Sequence, residues 1–267
     1  MQNRFRFYVQ LAFTLLVCAF LVVPVVLSML AGVTENFFVG LSSGLTLRWV
    51  AQVWDMYQPT IWRSLIIALA CLVVTLVAGV PLAYMLARYR GGHSRLARVI
   101  EELLMMPVAV PGLATALALI MAYGQWRDFR ASILFILVGH VIFTLPFMVR
   151  PVLAVMQSSQ LAQLEEAAAS LGAGRMRRFF GIVIPNCASG ILAGALMVVT
   201  LSIGEFNITW MLHTPLTQTL PVGLADAYAS MRLEVGSAYT LIFFFMIIPL
   251  LIGMQWVTQA TRKKVSL

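Results

Sequence analysis

Six long apolar stretches, nearly free of charge, run through the sequence at residues 11–31, 64–86, 103–123, 133–149, 188–211 and 238–258. Each is close to the roughly 20 residues that a helix needs to cross about 30 Å of hydrocarbon. A membrane strand would instead need short segments of alternating polarity, and these runs are continuous. Composition leads to the same place. The 267 residues are 61% hydrophobic and 10% charged, against about 25% charged in a soluble domain. So little polar surface cannot cover a globule in water, and lipid is the solvent that fits. The expectation is an all-α integral membrane protein with six transmembrane helices in a single domain over residues 1–267.

The basic residues lie between these stretches. Arg4 and Arg6 precede an uncharged run over residues 7–34, longer than the apolar core of a signal peptide and not followed by a small-residue cleavage site. A retained first helix is therefore expected. If the N-terminus is inside, the inner segments hold most of the 18 basic residues: Arg4, Arg6, Arg88, Arg90, Arg95, Arg98, Arg150, Arg175, Arg177, Arg178, Arg262, Lys263 and Lys264. Arg48, Arg63, Arg127, Arg130 and Arg232 fall outside. Positive charge concentrates on the cytoplasmic side, so both termini are expected there. The net charge of +8 thus reflects topology. Nucleic-acid binding is not expected, because no basic patch is interleaved with aromatic residues. Trp49, Trp54, Trp62, Trp126, Trp210 and Trp256 lie close to span ends, as in an interfacial belt. Prolines such as Pro107, Pro111 and Pro146 offer places for kinks or breaks. Cys18, Cys71 and Cys187 have no metal or redox spacing, and no cofactor is expected.

The longest inner segment, residues 156–185, has its own pattern. Ser158 and Ser159 suit a helix N-cap, and residues 160–171 place Leu161, Leu164, Ala168 and Leu171 at helical spacing. Gly172 stands where a left-handed residue ends a helix. A second short helix over 175–180 presents Met176, Phe179 and Val183, and Pro185 leads back into the membrane. Two such helices could dock into a groove of a soluble partner or lie on the lipid surface.

Within this segment, Glu166-Ala167-Ala168, three residues, Gly172, nine residues and then Ile182-Val183-Ile184-Pro185 resemble the EAA loop of binding-protein-dependent ABC permeases. Every spacing fits; Ile184 replaces the usual leucine. The resemblance covers roughly residues 60–260 and is greatest to the group serving polyamines, iron(III), sulfate or molybdate, and phosphonates. Ser202-Ile203-Gly204-Glu205-Phe206 resembles a G-E-F stretch of that group. The resemblance implies a MetI-like permease fold in a bacterial plasma membrane. It implies that Glu166, Ala167, Ala168, Gly172, Ile182 and Pro185 seat the loop on a separate cytoplasmic ATP-binding subunit. It also implies a second permease subunit, with a heterodimer favoured, and a periplasmic or extracellular solute-binding protein. Polyamine-type, phosphonate-type, iron and oxyanion solutes all stay open.

Other functions fit less well. A phosphate-binding loop needs a lysine after its glycines, and the only lysines are Lys263 and Lys264, so an ATP-driven process needs its motor elsewhere. No H-E-x-x-H pattern is present. Ser202 and His140 lie in spans and could form a serine–histidine pair, although polar residues in spans are common. An ATP-independent carrier or channel would leave the EAA loop unexplained. Glu205 is the acidic residue inside a span, which marks it as a candidate for the translocation pathway. Its alternative is a structural bond to Asn207, Thr209 or a neighbouring helix.

Overall fold

The computed structural model describes residues 2–90, 95–158 and 160–265; Gly91, Gly92 and Ser159 lie outside them. Helices account for nearly all of it: α1 (Gln2–Ala31), α2 (Arg48–Arg90), α3 (Arg95–Ala109), α4 (Gly112–Tyr123), α5 (Arg127–Arg130), α6 (Ile133–Ser158), α7 (Leu161–Ser170), α8 (Arg175–Arg178), a π turn (Phe179–Val183), α9 (Ile184–Asn186), α10 (Ala188–Ile203), α11 (Asn207–Leu212), α12 (Leu220–Ala229) and α13 (Leu233–Val265). The only pairing of extended residues among those described is an isolated bridge between Thr34 and Leu45. Among the described residues, four helices are long and apolar enough to cross a membrane, or up to six if each of two bent pairs is one span.

The bends are where the structure departs from six straight rods. α3 and α4 meet at 106°, within the stretch 103–123. Pro111 has no N–H to continue the helix, and its ring disfavours the helical conformation at Val110. The chain at Pro111 is accordingly extended, with φ −55° and ψ 138°. The second bend, 71°, falls between Asn186 and Ala188. The stretch 188–211 is also not one helix: α10 ends at Ile203 and α11 starts at Asn207.

The chain packs as two compact units. One comprises Met1–Gln58 with Gly223–Met246, the other Pro59–Val222 with Ile247–Leu267. In the first, the end of α1 lies against the start of α13 so closely that a Cβ at Gly32 would sit 2.6 Å from the Ala238 nitrogen. The Trp49 indole donates to the Thr34 carbonyl at 2.9 Å, and the Phe37 N–H donates to Glu234 Oε1 at 2.9 Å. The rest of α1 is largely uncovered, as lipid solvation allows.

In the second unit, α6 and α10 form the centre. Gly190 and Gly194, one turn apart, let α10 approach the backbone of α6. A Cβ on Gly190 would meet the Pro151 carbonyl at 2.7 Å, and one on Gly194 would meet Met148 Sδ at 2.9 Å. Small residues at this spacing substitute for the hydrophobic effect, which lipid removes as a driving force between helices. Met148, Val152, Val183 and Val198 are buried around this contact. A second cluster joins α4, α6 and α11 through Ala116, Phe135, Ile136, Ile208 and Leu212.

Candidate functional site

The segment between α6 and α10 forms the two short helices expected, and the protein covers only part of the apolar stripe of the first. α7 starts after Gln160, which makes no side-chain cap. Its buried residues are Leu161 and Glu165, while Leu164 and Leu171 are 48% and 89% exposed. Glu165 displaces the apolar stripe because α2 offers it partners. Tyr84 Oη donates to Glu165 Oε1 at 2.7 Å, and Arg88 Nη2 donates to the same oxygen at 2.9 Å. A buried carboxylate is tolerated when charge-assisted bonds replace its water. Tyr84 also packs edge-on against Phe179, and the Arg88 guanidinium lies 5.0 Å from the Tyr84 ring centroid. Arg178 Nη1 lies 3.5 Å from the Glu165 carbonyl. The loop is thereby fastened to α2 along one side.

Gly172 ends α7 as its position suggests. Its φ is +84°. Its N–H donates to the Ala169 carbonyl, and the Ala173 N–H donates to the Ala168 carbonyl, both at 2.9 Å. These are the paired bonds of a Schellman cap. Nothing lies within 4 Å of where its side chain would be. Glu166 and Ala167 are exposed beside it and Ala168 is half-buried. The next segment is α-helical only over Arg175–Arg178, then widens into the π turn. Val183 is buried, Ile182 half-buried, and Pro185 and Met176 exposed. Glu166, Ala167, Leu164 and Leu171 thus share the uncovered side of the loop, while Ile182 belongs to its packed root.

Glu205 lies in the break between α10 and α11 and is 8% exposed. Its Oε1 accepts from the Ile208 N–H at 2.8 Å. Its Oε2 accepts from the Thr209 N–H and Thr209 Oγ1, each at 2.9 Å. A helix start leaves N–H groups unpaired and partially positive, and hydrocarbon has no water to pair them. The carboxylate answers both needs, with Thr209 among the partners the sequence offered. Gly112 opens α4 beside it: a Cβ there would be 3.1 Å from Asn207 Cβ and 3.8 Å from Glu205 Oε1.

Ser202 and His140 are brought together. His140 Nδ1 and Ser202 Oγ are 2.8 Å apart, and His140 Nε2 lies 2.8 Å from Thr209 Oγ1 and 3.7 Å from Glu205 Oε2. Ser202 is 3% and His140 2% exposed. With both ring nitrogens engaged and the hydroxyl enclosed, this cluster ties α6 to the two ends of the break. It does not present a nucleophile. Sequence reasoning did not find Glu165 with its partners, although Tyr84 and Arg88 at i and i+4 were a signal of one shared face.

Comparison with known proteins agrees with this architecture. Residues 79–266 match the family model described as binding-protein-dependent transport system inner membrane component. The chain is 29% identical over 238 residues to the putrescine transport system permease protein PotI of Escherichia coli (strain K12), covering 85% of this chain and 81% of that protein. It is 30% identical over 193 residues to the sulfate transport system permease protein CysT of the same strain, covering 63% and 69%. A chain of the MetNI methionine ABC transporter in inward-facing conformations superposes with a TM-score of 0.65 at 15% identity, covering 79% of this chain and 98% of that one.

Proposed function

The chain belongs to the family of binding-protein-dependent transport system inner membrane components, and from that premise we propose that it forms half of the translocation pathway of an ATP-driven importer. A separate cytoplasmic ATP-binding subunit docks on the segment 156–185. The observation that carries this reading is the two-sided geometry of α7. Glu165 and Leu161 fasten one side to the protein, while Glu166, Ala167, Leu164 and Leu171 are left uncovered on a helix closed by Gly172. Small residues at 167 and 168 let a partner surface approach the backbone. The Gly172 cap fixes the angle at which the next helix leaves. Ile182 and Val183 root the loop against the spans and Pro185 leads into α10, so a force on α7 is passed to α10.

Both termini are assigned to the cytoplasm by the distribution of arginines, in a bacterial plasma membrane. A second, related permease subunit completes the pathway, and a solute-binding protein delivers cargo from the other side. The cargo is a small polar solute of the polyamine, phosphonate, iron or oxyanion type. Putrescine and sulfate in the names of similar permeases are consistent with that range. Glu205 acts at the pathway by capping α11 at the α10–α11 break.

The test is a mild-detergent purification of tagged chain from its native membrane, followed by mass spectrometry of co-purifying proteins and by uptake measurements. Gly172→Val should insert normally yet abolish uptake, because its φ of +84° strains a β-branched residue. Together with Glu166→Ala it should release a stoichiometric ATPase subunit. Unimpaired uptake by both variants, or a solitary chain that transports alone, would transfer the assignment to an ATP-independent carrier.

A further inference from the structure

A cavity of about 670 Å³ lies between the end of α2 and the segment α8–Val183. Its rim carries two guanidiniums, Arg88 and Arg175, and its lining holds no acidic residue. Its wall is apolar: Pro81 and Met85 from α2, Phe179 and Phe180 from the π turn. Pro81 lies seven residues before Arg88, about 10 Å deeper at the helical rise of 1.5 Å per residue, and belongs to the apolar stretch 64–86. The cavity therefore runs from a cationic rim to a floor at hydrocarbon depth. Met85 and Phe180 are 53% and 65% exposed.

We propose that this cavity is a binding site for one anionic phospholipid. The phosphate sits between Arg88 and Arg175, and an acyl chain runs along Met85 and Phe180 towards Pro81. Guanidinium groups match phosphate oxygens through paired donors, and basic pockets between membrane helices select anionic headgroups. Arg88 is pre-positioned: one nitrogen is held by Glu165 and its plane lies over Tyr84, while half of its side chain stays exposed. A free anion would use only the rim. A soluble protein partner could cover the rim but could not reach Pro81. Because Arg88 also anchors Glu165, the lipid would brace α7 against α2 and make loop geometry depend on membrane composition. The proposal rests on the membrane-spanning reading of α2, not on docking of an ATPase, and the two can fail separately.

The test uses full-length chain purified in mild detergent with its co-purifying subunits, titrated with phosphatidylglycerol or phosphatidylcholine of identical chains and read by native mass spectrometry. The wild type should retain phosphatidylglycerol in preference to phosphatidylcholine. Arg175→Gln should weaken phosphatidylglycerol retention about fivefold, the contribution of one arginine at an anionic lipid surface, and leave phosphatidylcholine unchanged. Phe180→Ala should weaken retention of the anionic lipid, and millimolar inorganic phosphate should not displace it. Equal retention of both lipids, retention unaltered in either variant, or displacement by inorganic phosphate would overturn the site. Loss of a co-purifying cytoplasmic subunit from Arg175→Gln, with lipid retention intact, would assign the cavity to a protein partner instead.

Discussion

Glu165 and Glu166 are adjacent in sequence and opposite in environment: the first is buried against Tyr84 and Arg88, the second faces outward. Removing the buried carboxylate leaves a phenol and a guanidinium without their acceptor, at a cost of about 1–3 kcal/mol. The half-exposed Arg88 moderates that figure, because water can replace part of the ion pair. Glu165→Ala should thus lower the thermal midpoint of the detergent-purified protein, whereas Glu166→Ala should leave it unchanged and reduce only uptake. Equal midpoints for the two variants would show that the Tyr84–Arg88 clasp contributes nothing. Glu205 gives a similar contrast. In Glu205→Gln one oxygen becomes an NH₂ that must face the N–H of Ile208 or of Thr209, donor against donor. A loss of about 1–3 kcal/mol should appear as a lower midpoint, together with slower uptake. Thr209→Val keeps the carboxylate and should cost less. Glu205 was visible in the sequence as a charge inside an apolar stretch, with Thr209 among its possible partners; the burial of Glu165 was not. Glu165 meets residues 77 and 81 positions away, and no local pattern encodes that meeting.

Among the elements, breaks matter as much as helices. Pro111 produces the 106° turn between α3 and α4, and its position was legible because proline acts locally. The gap between α10 and α11 was hidden: Gly204-Glu205-Phe206 sits in an apolar stretch that reads as one span. There Glu205 caps the start of α11 through Ile208 and Thr209, and His140 from α6 bonds Ser202 and Thr209 on either side of the break. The stripe of α7 left a different question open. Periodicity locates apolar residues on a helix but cannot tell whether the protein or an absent partner covers them. The contact of α6 with α10 can be tested alone. Gly194→Leu would force a branched side chain into Met148, whose Cα already lies 3.1 Å from an ideal Cβ. Overpacking of this kind costs typically 1–3 kcal/mol. The variant should unfold at a lower temperature, while Gly181→Leu, at a site with nothing within 4 Å, should not.

At the scale of the whole molecule, the arginine asymmetry predicts an orientation that labelling can check. A unique cysteine placed after Leu267, in a chain with its three cysteines replaced by serine or alanine, should resist a membrane-impermeant maleimide in intact cells and react after permeabilisation. A cysteine at Ser42 should react in both. The reverse pattern would invert the topology and remove the loop 156–185 from reach of a cytoplasmic ATPase. Membrane residence, helical class, the approximate spans and the loop with its Gly172 cap were determined by the sequence alone, because each follows from short-range facts: hydrocarbon thickness, helical period, and the conformations open to glycine and proline. Which face of α7 turns inward, where the fifth apolar stretch breaks, and which side chains satisfy Glu165 and His140 were decided only by tertiary structure. A buried polar group whose partners lie far along the sequence meets them only through the packing of the whole bundle.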